Sequence, residues 1–302
     1  MSMVSQRQCE VCNHRVFRRR FTKDNHVYSE CCSCHLLRID PQPTDDELAS
    51  IYGIQYYDGW GHRANVEQLA QLKKRTFRHH VLSAVKLSSG ARVLDCGAAF
   101  GALMEVAAEQ GLNPYGIELI PEAATAIARR LGSDRVFCGP FESAVFPNVA
   151  NGGFQAVFMC DFIEHVRNPL AALKKAVAWL QPGGQLVITT PDSRSLSRRL
   201  MGMRWPNFKT EHLYYLNRQN LPMLLAQVGL TVRYLGRAKK TLDFEYIHHY
   251  FNAYPLAMVT PLLNLTARFP SGRWKNLPFS FSYGDMIVVA EKVPPATCRA
   301  NS

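Results

Sequence analysis

The 302-residue chain has no long uninterrupted apolar run. Its most apolar stretch, Ala253 to Leu265, is broken by Pro255 and Pro261, and it falls short of the roughly 20 residues that cross a bilayer. No apolar targeting segment opens the sequence, because Cys9 and Cys12 stand where one would lie. A cytoplasmic location is therefore expected. Acidic residues are scarce beside basic ones, 24 Asp and Glu against 35 Lys and Arg, which leaves a net charge of +11. Such an excess suits an anionic partner or surface. The composition is otherwise ordinary, 47% apolar and 20% charged, which excludes disordered, collagen-like and mucin-like chains. The length allows one large α/β domain with an appendage, or two domains.

The nine cysteines are an odd number for a secreted scaffold, and their spacing points to metal rather than disulfides. Cys9-Glu-Val-Cys12 is followed, 18 residues on, by Cys31-Cys32-Ser33-Cys34. The outer pairs are two Cys-x2-Cys turns, the spacing of a structural zinc ribbon over residues 1–40. Four thiolates from Cys9, Cys12, Cys31 and Cys34 close a tetrahedral shell, so the expected Zn2+ is structural. A unit of this size builds too little core to fold alone, and the metal supplies the missing stability. Cys32 is a spare thiol that leaves the ligand set ambiguous.

Residues 41–90 read as a linker and helices. Pro41 and Pro43 stop the ribbon, and Thr44-Asp45-Asp46-Glu47 has the form of a capping box. Tyr52, Tyr56, Tyr57 and Trp60 follow, placed either to cover a ligand pocket or to pack the ribbon on the main domain. Leu69, Leu72, Phe77, Val81 and Val85 give helical spacing over 64–87. From residue 91 the pattern changes. Apolar runs at 91–95, 114–118, 135–138, 154–160, 184–190, 230–235 and 285–291 predict strands, and 101–110, 121–131, 169–180 and 218–228 predict helices. This alternation implies a mostly parallel, Rossmann-like seven-stranded sheet with helices on both faces over 91–302. An aromatic, Pro-punctuated insertion at 242–282 interrupts it.

Val93-Leu94-Asp95-Cys96-Gly97-Ala98-Ala99-Phe100-Gly101 links the first predicted strand to its helix. In such sheets ligands sit at the carboxyl ends of the strands. The turn lacks the Gly-x-Gly-x-x-Gly spacing that seats a pyrophosphate. Asp95 would repel that group but suits a ligand bearing an ammonium or sulfonium charge. Glu118, ending the second strand, can accept hydrogen bonds from ribose hydroxyls.

Residues 91–235 resemble the class I S-adenosylmethionine (SAM)-dependent methyltransferases. Asp95-x-Gly97-x-x-x-Gly101 is similar to the family's first motif, with Ala99 where Gly is usual. The resemblance implies SAM as cofactor, held by Asp95, Cys96, Gly97, Ala98, Phe100 and Gly101, by Glu118 and Leu119, and by Phe141 after the third strand. Pro140 replaces the Asp that usually contacts the adenine amine. Asp161-Phe162-Ile163-Glu164-His165 resembles the signature after the fourth strand and implies Asp161 and Phe162 at the cofactor. Leu180-Gln181-Pro182-Gly183-Gly184 resembles the turn before the fifth strand.

With its ribbon and Pro-x-Pro linker, the layout resembles bacterial methyltransferases of polysaccharide, O-antigen and deoxysugar clusters. The core alone is also similar to ubiquinone-pathway O-methyltransferases. Glu211-His212-x-x-Tyr215 corresponds to a stretch of the sugar-methylating relatives. Lys209 stands where C-methylating relatives carry Tyr, which favours O-methylation. A sugar hydroxyl gains from a general base; His212, oriented by Glu211, is the first candidate and His165 the second. Arg194, Arg198, Arg199 and Arg204 are expected near the acceptor, which would then carry phosphate, as a nucleotide-linked or lipid-linked glycan. The aromatic insertion would form a lid or touch a membrane surface. Four other readings rank below sugar O-methylation: sugar C-methylation, ubiquinone-pathway-like small-molecule O-methylation, a ribosomal-RNA methyltransferase with an RNA-docking ribbon, and a non-catalytic binding module. No Asn/Asp-Pro-Pro-Tyr-type motif follows the fourth strand, which weighs against a nucleic-acid acceptor.

Overall fold

A computed structural model describes residues 8–52, 66–253, 259–267 and 277–294. Tyr56, Tyr57, Trp60 and Tyr254 lie outside the described residues. The chain opens with three antiparallel strands, β1 (Phe17–Lys23), β2 (His26–Cys31) and β3 (Leu37–Ile39). Asp24 and Asn25 join β1 to β2 at φ 49° and 62°, the left-handed pair that a two-residue hairpin needs. Asn13 and His35, at φ 58° and 59°, follow the second Cys of each Cys-x2-Cys turn.

Helix α1 (Asp45–Ile51) starts at the predicted box, where Thr44 N–H donates to Glu47 Oε2 at 2.6 Å and Glu47 N–H to Thr44 Oγ1 at 3.2 Å. Helix α2 (Val66–Thr76) then loosens into a π-turn at Phe77–Val81 and a 3-10 turn at Leu82–Ala84. The main domain runs β4 (Arg92–Cys96), α3 (Ala102–Glu109), β5 (Asn113–Glu118), α4 (Pro121–Leu131), β6 (Val136–Cys138), β7 (Phe154–Cys160), α5 (Pro169–Trp179) and β8 (Leu180–Pro191). After these come α6 (Leu196–Met201), β9 (Tyr214–Tyr215), α7 (Asn220–Ala226) and β10 (Leu230–Arg237). The predicted insertion contains β11 (Lys240–Leu242), α8 (Phe244–Ala253), α9 (Val259–Ala267) and β12 (Phe279–Phe281); β13 (Asp285–Lys292) closes the fold.

The expected seven-stranded sheet has the order β10-β13-β8-β7-β4-β5-β6, with β13 antiparallel to both neighbours. Its central strands are apolar on both faces. Leu94, Val157, Leu186 and Val288 join one core, and Val93, Phe158, Val187 and Val289 the other, the pattern of a sheet covered on both sides. β4 lies between β5 and β7, parallel to both, so the order in which strands are added to the sheet reverses there and a crevice opens at its carboxyl end. β9 does not join this sheet. It pairs with β3, Leu37 with Tyr215 and Arg38 with Tyr214, and becomes the fourth strand of the N-terminal sheet. Among the described residues, no helix is long and apolar enough to cross a membrane.

Candidate active site

One cavity of about 1510 Å3 occupies the crevice and is lined from both ends. At the first end the β4 strand delivers Asp95, which is buried. Burial pushes its carboxyl up to about 7, and the Glu118 charge adds to that shift. The turn beyond is held by Gly97 and Ala98, whose N–H groups both donate to the Ile117 carbonyl at 2.9 Å. Gly97 has φ +77°, and a Cβ there would lie 2.9 Å from the Phe162 ring, so the position needs glycine on two counts. Ala99 adopts φ 49°. The turn thus requires a left-handed residue where this chain carries Ala, which gives a physical reason for the Gly usual in relatives.

Glu118 accepts from Ala99 N–H at 2.7 Å and Ile120 N–H at 2.8 Å. Phe141 is buried, its ring 5.1 Å from Phe162 and 5.4 Å from Trp179. Ala98, Phe100 and Leu119 also line the cavity, whereas Cys96 is core and Gly101 caps α3; neither of these two lines it.

The second end gathers Asp161, Phe162, Glu164, His165 and His212 around the carboxyl end of β7. Glu164 is buried, and its Oε2 accepts from Thr190 Oγ1 at 2.9 Å while Oε1 has no partner. Burial, then the charge of Asp161, pushes it up to about 8. The ligating atoms of Glu164, His165 and His212 lie within 4.8 Å of one another. His165 Nδ1 meets Tyr52 Oη at 2.9 Å, and its ring stands edge-on to that of His212 at 4.7 Å. Burial pulls His165 down to about 4, and Lys209 adds to that. His212 is driven well below its usual value by burial, then by His165 and Lys209. Both imidazoles are therefore neutral at pH 7, and His212 Nδ1 is buried with no hydrogen-bond partner among the described residues. Glu211 does not line the cavity; its carboxylate faces Lys209 Nζ at 3.8 Å, and the carboxylate standing beside His212 is that of Glu164.

Lys240 carries no sequence signal. It bridges Asp161 at 3.1 Å and Asp285 at 2.8 Å, and sits 5.3 Å over the Tyr283 ring. Lys73, Lys209 and Lys239 line the same cavity. The cationic lining of the cavity comes from these lysines together with Lys74, Lys175, Arg130 and Arg167. Arg194, Arg198, Arg199 and Arg204, expected beside the acceptor, are not among the lining residues. Ser195 caps α6; Arg194, before it, reaches Gln219 at 3.2 Å, the half-buried Arg198 lies 5.8 Å over Phe208, and Arg199 and Arg204 are exposed.

The four ribbon cysteines converge apart from this cavity. Cys9 and Cys34 sulfurs are 3.4 Å apart, Cys12 and Cys31 3.5 Å, and all four lie within 4.8 Å of one another. A tetrahedral Zn–S shell spaces its sulfurs by roughly 3.8 Å, so the cluster is compatible with zinc. Cys32 is exposed and stands outside it.

Residues 61–235 match the family described as methyltransferase domain. The chain belongs to that family. Among curated proteins it is similar to ubiquinone biosynthesis O-methyltransferases. That of Xanthomonas oryzae pv. oryzae is 29% identical over 147 residues, 43% of this chain and 61% of the relative. That of Xylella fastidiosa is 31% identical over 122 residues, 37% of this chain and 49% of the relative. This chain thus spans about half to three-fifths of the length of these relatives. Among solved structures, a SAM-dependent methyltransferase of Archaeoglobus fulgidus aligns at TM-score 0.53 and 15% identity, covering 78% of this chain and all of that one. The [4+2]-cyclase SpnF aligns at 0.53 and 17%, covering 84% and 99%. These structures share the fold.

Proposed function

We propose that this methyltransferase domain transfers the methyl group of SAM to a hydroxyl oxygen of an anionic acceptor, a sugar or glycan carried on a nucleotide or a lipid. The observation that carries the reading is the shared cavity, in which Asp95, Glu118 and Phe141 face the same space as Glu164, His165, His212 and six lysines. Its 1510 Å3 exceeds the roughly 300–1,000 Å3 usual for one small ligand, leaving room for a cofactor and an acceptor together.

Bound SAM supplies an activated methyl group on its own leaving group. The residues do the rest. Glu118, at the end of β5, takes the ribose hydroxyls, Phe141 packs the adenine, and Asp95 balances positive charge. Lys73, Lys209 and Lys239 draw the acceptor's anionic group. His212 Nδ1, neutral and with no hydrogen-bond partner among the described residues, takes the proton from the acceptor hydroxyl as the oxygen–carbon bond forms. The four-cysteine cluster takes a structural Zn2+.

The relatives favour a second reading, O-methylation of an aromatic lipid-pathway intermediate. The apolar wall of Leu48, Tyr52, Leu69, Phe77 and Tyr246 would accept such a ring. Incubation with methyl-labelled SAM and a cell extract separates the two. Label in a ribonuclease-resistant nucleotide-sugar or glycan pool supports the first reading. Label in a quinone-type lipid promotes the second, and label in RNA refutes both. His212→Ala should lower kcat by about 10²–10⁴ and leave SAM affinity unchanged.

A further inference from the structure

The ribbon and the acceptor end of the cavity form one mechanical unit. Strand β9 has two residues, too few to persist without a partner, and its partner is β3 of the ribbon. Immediately before it, the Leu213 carbonyl accepts from Ile39 N–H at 3.1 Å, while Leu213 N–H donates to the Glu164 carbonyl at 2.8 Å. His212 is thus the residue before a clamp whose two jaws are the ribbon and the β7 loop.

Further bonds tie the flanks. Lys23 donates to the Phe208 carbonyl at 2.6 Å, Asn217 to the His35 carbonyl at 3.2 Å, and Asn220 to the carbonyl of Cys34 itself at 3.4 Å. Tyr214 Oη lies 3.2 Å from Glu10 Oε1 and 3.1 Å from the Arg167 carbonyl oxygen, with its one proton to share between them, so one hydroxyl spans the ribbon and the loop after β7. Tyr28 of β2 packs with Phe208 and Tyr215, and Trp205 packs with the same two rings. The cofactor end is built differently: Asp95 and Glu118 sit on β4 and β5, within the separate seven-stranded sheet.

We propose that the four-cysteine centre is a positioning device for the acceptor side. By holding β3 it holds β9 and the 205–213 segment, and so fixes His212 against Glu164 and His165. The metal touches no reacting atom, and its loss loosens acceptor chemistry while sparing the cofactor end. This inference rests on the methyltransferase reading for its meaning, but its readouts do not require an acceptor.

The test compares the full zinc-loaded chain with Cys34→Ser by SAM calorimetry, amide exchange and NMR titration of the His212 ring. Expected on metal loss are SAM affinity within about twofold, amide exchange at residues 205–217 faster by about tenfold or more, and a His212 titration moved up towards about 6.5 as water reaches the ring. Unchanged exchange and unchanged titration would overturn the proposal, because the ribbon would then be an independent module. Should Cys34→Ser not fold, Tyr214→Phe keeps all four thiolates and removes one link. It should shift exchange at 209–215 and the His212 titration in the same direction with metal content intact, and no shift in either overturns the idea. Failure of the holoprotein to bind SAM would instead refute the methyltransferase reading, while exchange and titration still decide the coupling.

Discussion

Asp95 makes SAM binding depend on pH close to neutrality. In the free protein its carboxyl is raised to about 7 by burial and by Glu118. A cationic ligand selects the ionised form, so its binding expels the proton. With a free-state value near 7 and a bound-state value well below about 6, the apparent dissociation constant scales as one plus the ratio of protonated to ionised Asp95. That factor is about 11 at pH 6, about 2 at pH 7 and about 1.1 at pH 8, a roughly tenfold loss of affinity between pH 8 and pH 6, or about 1.4 kcal/mol. The sign is fixed: affinity falls as pH falls. Calorimetry of SAM at the three pH values reads it directly, and two buffers of different ionisation enthalpy count the released proton. Asp95→Asn should bind weakly and with no such slope. A flat wild-type profile from pH 6 to 8, or an Asn variant that keeps the slope, would refute the reasoning.

Three further outcomes follow from single residues. Ala99→Gly removes about 1–2 kcal/mol of left-handed strain and returns about 0.4–1 kcal/mol to unfolded-chain entropy. A net stabilisation of roughly 0.5–1 kcal/mol should appear in urea unfolding, with SAM affinity retained. Lys240→Met leaves the Asp161 and Asp285 carboxylates without their shared cation. It should cost about 3 kcal/mol or more at pH 7, and the deficit should shrink as pH is lowered and Asp285 takes up its proton. Cys32→Ser should leave one zinc per chain by metal analysis, whereas Cys34→Ser should lose it, since only Cys34 belongs to the four-sulfur cluster.

The central strands are legible in the sequence because each is a short apolar run buried on both faces, bounded by turn residues. The α1 start is legible for a local reason, since Thr44 and Glu47 satisfy one another within four residues. Cofactor-side positions are legible because one turn and the strand ends carry them in sequence order. The acceptor side is not. β9 is two residues long and pairs with Leu37 and Arg38, far away in the chain, so neither periodicity nor spacing marks it. Lys240 is one lysine beside another, and only the fold brings it between Asp161 and Asp285. The arginines after β8 mislead because proximity in sequence to a strand's carboxyl end says nothing of which way the next helix turns. Ser195 starts α6 at once, and none of the four lines the cavity.

This division has a structural cause that bears on how far relatives inform the acceptor. The matched segment starts at residue 61 and ends at residue 235, so it contains Asp95, Glu118, Glu164 and His212 but not Tyr52, Lys240, Tyr246 or Tyr283. Those four residues line the cavity, and the ribbon that clamps His212 also lies outside the match. A cyclase shares the same fold at the same level of similarity, as expected when a scaffold hosts unrelated chemistries through grafted residues. The methyl-donor half therefore lies within the family match, and the acceptor half draws on segments outside it. A substrate found for the ubiquinone-pathway relatives would transfer here only if it fits a cavity walled by Tyr52, Lys240, Tyr246 and Tyr283, which lie outside the matched segment.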